Sequence, residues 1–196
     1  MFDEVTCIMK NKIDLRIIKT KKVLSEALLT LMKEKNFDNI KISDICDVAL
    51  INRSTFYAHY EDKYDLLIAL IENMKKNILD ELKINSYNYI SKEYFMELLK
   101  ILIEHIDGNY PVYSAIINNN RNGFLIDFLI DVANKDLSLR LKDDDNIINS
   151  NIPINMVTRF YLGGVVSVGV DWILNKDKYT KEEMLEYLSK LIPDKL

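Results

Sequence analysis

The stretch from Ser43 to Lys63 reads Ser-Asp-Ile-Cys-Asp-Val-Ala-Leu-Ile-Asn-Arg-Ser-Thr-Phe-Tyr-Ala-His-Tyr-Glu-Asp-Lys. Two short helices fit it, one from Ser43 to Ala49 with the Ser43 hydroxyl as its cap, the other from Asn52 to His59 capped by the Asn52 amide. Helices this short are marginal alone and need a larger surface to pack on, as in a helix-turn-helix. Wound at about 100° per residue, the second helix carries Arg53, Ser54, Tyr57 and Ala58 on one face and Thr55, Phe56 and His59 on the other. Phe56, with Ile45, Ala49 and Ile51, is the apolar anchor. The outward face offers an Arg able to pair with both acceptors of guanine, plus hydroxyls and a methyl able to touch thymine or phosphate. Thr55, His59 and Lys63 stand at its margins, where side chains reach phosphates and set the register on a duplex.

Working outward, the larger surface is a helix from about Ile13 to Lys35, whose stripe of Val23, Leu24, Ala27, Leu28, Leu31 and Met32 recurs at three-and-four spacing. Asn36-Phe37-Asp38-Asn39 ends it. Downstream, a long helix starts near Asp62, runs Leu66, Leu67, Leu70, Ile71, Met74 and Ile78 along one face, and reaches about Ile84. Further helices are expected at Lys92–Ile106, Pro111–Asn118 and Phe124–Leu141, with a solvated loop at Lys142–Ser150. Asn151 and Pro153 open an apolar helix to Asn175, and Thr180 with Glu183 makes a capping box for a last helix ending before Pro193. With 5 Gly, 3 Pro and no alternating pattern, the class is all-α. The organisation is a helix-turn-helix head over residues 10–63 and a helical body over residues 64–196.

A net charge of −4 looks unfavourable for nucleic acid, but it is unevenly spread. Lys10 to Lys63 carries +3 and Tyr64 to Leu196 carries −5, so a modestly basic head joins an acidic body. Two Cys and two His, scattered, make neither a disulfide framework nor a metal cluster. Apolar runs such as Tyr161 to Ile173 are too short and too interrupted to cross a bilayer, and the N-terminus lacks the pattern of a secretory signal. A cytoplasmic protein without membrane contact is expected.

The spacing Ile45, Ala49, Ile51, Thr55, Phe56-Tyr57, His59-Tyr60, Lys63 and Leu66-Leu67 resembles the tetracycline-repressor family, most strongly from Lys21 to Leu67. The resemblance implies a ligand-responsive regulator, usually a repressor, that binds double-stranded operator DNA as a homodimer. It places Arg53, Ser54 and Tyr57 on bases and Thr55, His59 and Lys63 on the backbone, with Lys41 and Ser43 as secondary contacts. One residue departs from the pattern: Leu50 stands where the family has Gly in the turn. If that position is left-handed, Leu costs roughly 1–2 kcal/mol.

The resemblance also puts the dimer seam on the last two helices as a four-helix bundle, with Tyr161, Gly164, Val165, Val168, Trp172 and Leu188 at or under it. Filling the monomer core is the competing reading of each. Gly163, Gly164 and Gly169 inside an apolar helix imply close helix approach there. The aromatic-rich middle, Tyr89, Tyr94, Phe95, Tyr110, Tyr113, Phe124 and Phe128, could line a pocket for a small apolar or aromatic effector, or could be ordinary core. No carboxylate pair, nucleophile with His, or phosphate loop follows from the spacing, so no enzyme and no cofactor are expected. A body that docks a protein partner in place of a small ligand is the alternative.

Overall fold

The structure is a computed structural model that describes residues 2–81, 92–121, 123–141 and 152–192. Among the described residues there are helices and turns and no strand. Contacts divide the chain into two units, Met1–Asn73 and Met74–Leu196, so the division falls inside a helix, further along than the expected boundary at Lys63.

In the first unit, α1 spans Phe2–Glu34 and begins well before Ile13. Its three-and-four stripe is the reason it packs: Leu24, Ala27, Leu28, Leu31 and Met32 are all buried. A 3-10 turn, Phe37–Asn39, follows, with the Asn36 side chain accepting from the Asp38 N–H at 2.8 Å. Then come α2 (Ile42–Ala49), α3 (Arg53–Tyr57) and α4 (Lys63–Glu81). Phe37, Ile40, Ile45, Phe56, Leu66 and Leu67 close the core over the α1 stripe. The two short helices are thus held by packing, not by propensity.

Their caps differ from those the sequence implied. Ser43 lies inside α2, its hydroxyl 3.4 Å from Asp44 Oδ1, and the capping carboxylate is Asp44, which accepts the Lys41 N–H at 3.1 Å. Asn52 holds the N-cap position of α3, but its side chain makes no capping bond. Asp44 also takes the Lys35 ammonium at 2.5 Å, and a carboxylate with both a charge and an N–H to satisfy outcompetes a serine hydroxyl for the helix start. Asp62 caps α4, its Oδ1 accepting from the Tyr64 and Asp65 N–H groups at 2.8 and 2.9 Å.

The second unit holds α5 (Lys92–Gly108), α6 (Tyr110–Asn119), α7 (Phe124–Leu141), α8 (Ile154–Leu174) and α9 (Lys181–Leu191). The Thr180 capping box forms as its spacing dictates, Glu183 N–H to Thr180 Oγ1 at 3.1 Å and Thr180 N–H to Glu183 Oε2 at 2.9 Å. α8 packs on α6 and α7, and α9 on α5. The core gathers Phe95, Leu99, Ile103, Trp172, Ile173, Met184 and Leu188. The expected loop at 142–150 and the end of α4 at 84 lie outside the described residues.

Two expectations about α8 are corrected. The helix opens after Pro153 as its sequence implied, but its apolar stretch is longer than the run Tyr161–Ile173: the 21 residues Ile154–Leu174, at a mean hydropathy of 1.3, are by length and composition enough to cross a bilayer, although only 17% of that segment is buried. One such helix is weak ground for a membrane reading. The second correction concerns its glycines: a Cβ added at Gly163, Gly164 or Gly169 would meet nothing within 4 Å, so the close approach expected there does not occur among the described residues.

Candidate nucleic-acid interface

α3 presents the face its winding implies. Arg53, Ser54, Tyr57 and Ala58 are exposed, Thr55 and His59 are half-buried at the edges, and Phe56 is wholly buried beneath. The aromatic sequence does the anchoring: the Phe56 ring meets the Tyr57 and Tyr60 rings at 5.6 and 5.9 Å between centroids. Lys21 of α1 sets its ammonium 5.8 Å from the Tyr60 ring. Lys41 is exposed beside the start of α2, and Ser43 is half-buried within it. Cys46 is buried as a packing residue, and burial raises its thiol pKa, which keeps it protonated and unreactive.

Leu50 adopts the left-handed conformation, φ 55° and ψ 42°, and its N–H donates back to the Asp47 carbonyl at 3.3 Å, closing α2. It is 91% exposed, so no packing offsets the conformational cost. Among the described residues it is the one non-glycine at positive φ. The turn geometry of the motif is therefore intact despite the missing glycine.

Lys63, the first residue of α4, has its ammonium on the turn that precedes α2. Its Nζ donates to the carbonyls of Phe37, Asp38 and Ile40 at 2.9, 2.9 and 3.0 Å and lies 4.7 Å from the Phe37 ring centroid. Burial pulls its pKa down, with the charges of Asp38 and Asp62 opposing. The carbonyl partners lie 23–26 residues away in sequence, so no local pattern could have revealed them.

In the second unit, the aromatic residues expected to line a pocket separate. Phe95 is buried in the core, with Tyr110 and Tyr113 packed against it. The Tyr110 hydroxyl donates to the Ile173 carbonyl at 3.1 Å and the Tyr113 hydroxyl to Met74 Sδ at 3.3 Å. Phe124 and Phe128 stack on each other along α7, centroids 6.1 Å apart. Tyr89 and the side chain of Tyr94 lie outside the described residues.

The expected seam residues also divide. Trp172 and Leu188 are buried in the subunit's own core, the indole N–H donating to the Tyr179 carbonyl at 3.0 Å, and Val165 and Val168 pack against that core with Tyr161 half-buried. The open face of α8 is Met156, Phe160, Gly164, Ser167 and Asp171, with Phe160 73% exposed, and it includes one of the expected seam residues, Gly164. It continues into a groove of about 410 Å³ between α8 and α9, lined by Ser167, Val168, Asp171, Tyr179, Met184, Tyr187, Leu188 and Leu191. Burial within the subunit therefore follows the core-filling alternative for Trp172 and Leu188 and leaves Gly164 on the open face, a division that periodicity cannot make in a helix with few polar residues on any side.

Among known proteins, the chain is 35% identical over 105 residues to an uncharacterized HTH-type transcriptional regulator, YxbF, of Bacillus subtilis (strain 168), covering 53% of this chain and 27% of the relative. It is 32% identical over 103 residues to the HTH-type dhaKLM operon transcriptional activator DhaS of Lactococcus lactis subsp. lactis, covering 53% of this chain and 51% of that protein. The match thus spans about half or less of these relatives' length. A TetR transcriptional regulator structure from Streptococcus agalactiae superposes with a TM-score of 0.60 at 24% identity, covering 91% of this chain and 96% of the other. A fatty acid degradation regulator, FadR, from Bacillus halodurans superposes with a TM-score of 0.57 at 13% identity over 87% and 93%. These likenesses show the fold. Residues 24–70 match the family described as bacterial regulatory proteins, tetR family, and residues 93–194 match a transcriptional regulator C-terminal region. Since the two matches take in both the helix-turn-helix and most of the body, the chain belongs to the tetR family of bacterial transcriptional regulators.

Proposed function

We propose that the chain works as a homodimer that reads a palindromic operator, placing α3 of each subunit in successive major grooves, and that it represses by occupying that operator until a small apolar or aromatic effector releases it. The observation that carries the DNA-reading part is the exposed face of Arg53, Ser54, Tyr57 and Ala58 over a fully buried Phe56. A side chain anchored at its root and free at its tip can meet a base edge without reordering the helix. Repression by occupancy needs nothing beyond the head and the dimer. The dimer reading rests on α8, whose apolar length is mostly unburied in the subunit and whose open stripe of Met156, Phe160 and Gly164 suits a second copy. On this reading the protein acts in the cytoplasm, where the chromosome is.

The test is selection of duplexes from a random-sequence pool, followed by the Arg53→Ala variant. Arg53→Ala is expected to lose roughly 1–3 kcal/mol of specific binding and to relax base preference at one position in each half-site. Unchanged affinity and unchanged preference would show that α3 reads with a different face.

A second reading replaces the effector by a protein partner. It is favoured by the engagement of the middle tyrosines, whose hydroxyls are bonded to Ile173 and Met74 around a buried Phe95. A relative named as an operon activator is compatible with it. Thermal-shift screening with small aromatic and apolar compounds separates the two, since a stabilising hit supports the effector.

A further inference from the structure

The ammonium of Lys63 is the first residue of α4, yet its bonds run back to the turn before α2, to Phe37, Asp38 and Ile40. A lysine ammonium has three N–H donors, and three carbonyls meet them at 2.9–3.0 Å. The turn they belong to, Phe37–Asn39, closes on the Ile40 N–H, which donates to the Phe37 carbonyl at 3.1 Å, so the Phe37 carbonyl accepts from both Ile40 and Lys63. The Phe37 ring, wholly buried, lies 4.7 Å beneath the charge, and the Tyr64 ring lies 5.5 Å from it. A side chain so engaged cannot turn a donor toward a phosphate without breaking a bond to the turn.

We propose that Lys63 is a positioning residue that staples the start of α4 to the 3-10 turn, fixing the direction in which α4 leaves the helix-turn-helix, and that it is not a phosphate ligand. Phe37 is the buried end of the staple and Ile40 leads directly into Lys41 and α2, so the staple joins the entry of the first motif helix to the exit of the second. α4 then runs unbroken to Glu81. Holding its first turn sets where the reading helix stands on its support. Loosening it lets two heads on one duplex take a wider range of separations, an effect that rests on the homodimer reading above.

The experiment has one arm without DNA and one with it, both on the full chain. In the first, lysine ammonium resonances of the free protein are recorded by ¹⁵N–¹H correlation at mildly acid pH and low temperature. One slowly exchanging ammonium is expected, absent from Lys63→Met, and the Tm of that variant is expected to fall by about 5 °C or more. If the Lys63 ammonium exchanges as fast as the surface lysines, the staple does not exist, whatever happens with DNA. The wild-type spectrum decides this even if Lys63→Met fails to fold, and Lys63→Arg, which keeps the charge but not the three-way geometry, serves as the second variant. In the other arm, binding is measured to a palindromic duplex selected by the wild-type protein from a random pool, and to versions with the half-sites one base pair closer or farther. Wild type should discriminate among the three and neither Lys63→Arg nor Lys63→Met should, while the slope of log affinity against log salt stays unchanged in Lys63→Met, which has lost the charge. A slope shallower in Lys63→Met by about 1.8, the value for one lost phosphate contact in each of two subunits, with spacing preference intact overturns the proposal. Should no duplex be selected at all, it is the operator reading that fails, and the ammonium resonance still judges the staple.

Discussion

Leu50 combines two costs at one position: a left-handed backbone at φ 55° and an apolar side chain 91% in water. Neither is offset within the head, where glycine would avoid both. Leu50→Gly is therefore expected to stabilise the protein by roughly 0.5–1 kcal/mol, the relief of strain less the entropy glycine adds to the unfolded chain. Urea denaturation would measure it, and a variant no more stable than wild type would mean that Leu50 gains from contacts the free head does not make. This residue was legible in the sequence because the turn it occupies is short and its geometry is fixed by the helices on either side. The exposure of Arg53, Ser54 and Tyr57 on one face was legible for a related reason, since one buried residue, Phe56, fixes the rotation of a five-residue helix. Lys63 was not: its bonds depend on where residues 37–40 return in space, and nothing in the local pattern encodes that.

At the scale of the element, α2 shows why helix ends were read less well than helix existence. The periodicity that makes α2 a helix is internal to it, whereas its cap was settled by Lys35, the residue just beyond the end of α1. The hydrogen bond from Lys35 is the largest cause of a lowered Asp44 pKa, followed by that from the Lys41 N–H. A carboxylate with its folded pKa depressed contributes stability that is present above its ordinary value of about 3.9 and is lost as pH falls through the lower folded value. Acid titration of the head should therefore show a loss of α2 stability below about pH 4, and Asp44→Asn should be less stable at neutral pH and flatter across that window. Amide exchange of residues in α2, followed from pH 6 to pH 3, reads it directly; equal acid sensitivity in the variant would assign the loss to other carboxylates. For α8 the helix and its ends were legible, but with apolar residues nearly all round, which side packs in the subunit is fixed only in three dimensions, by Thr158, Trp172 and Ile173, so the choice between core and seam stayed open in the sequence.

For the whole molecule, the question is what covers α8. Its stripe from Met156 through Phe160 and Gly164 to Ser167 is open, and a two-fold axis across it, in the homodimer proposed above, would bury an apolar surface. Gly164 is the position at which to ask, because a Cβ there would meet nothing within 4 Å, so the subunit's own packing gives no reason for a substitution to disturb it. Arginine is also a better helix former than glycine, so Gly164→Arg should leave helicity and the subunit fold intact. In a seam, by contrast, it would place a long charged side chain between two apolar faces, with its copy across the axis carrying the same charge. Light scattering should then give twice 22.9 kDa for the wild type and 22.9 kDa for Gly164→Arg. The DNA consequence follows from geometry. Two half-sites about 34–36 Å apart engage a dimer in two steps, the second of which is intramolecular and benefits from a high effective concentration. A monomer keeps only the first step, so Gly164→Arg should bind the selected duplex at least about 100-fold more weakly while its contact with a single half-site is unchanged. If instead Gly164→Arg remains a dimer with full affinity, the open stripe faces something other than a second copy, and the body that docks a protein partner becomes the stronger reading of this half of the chain.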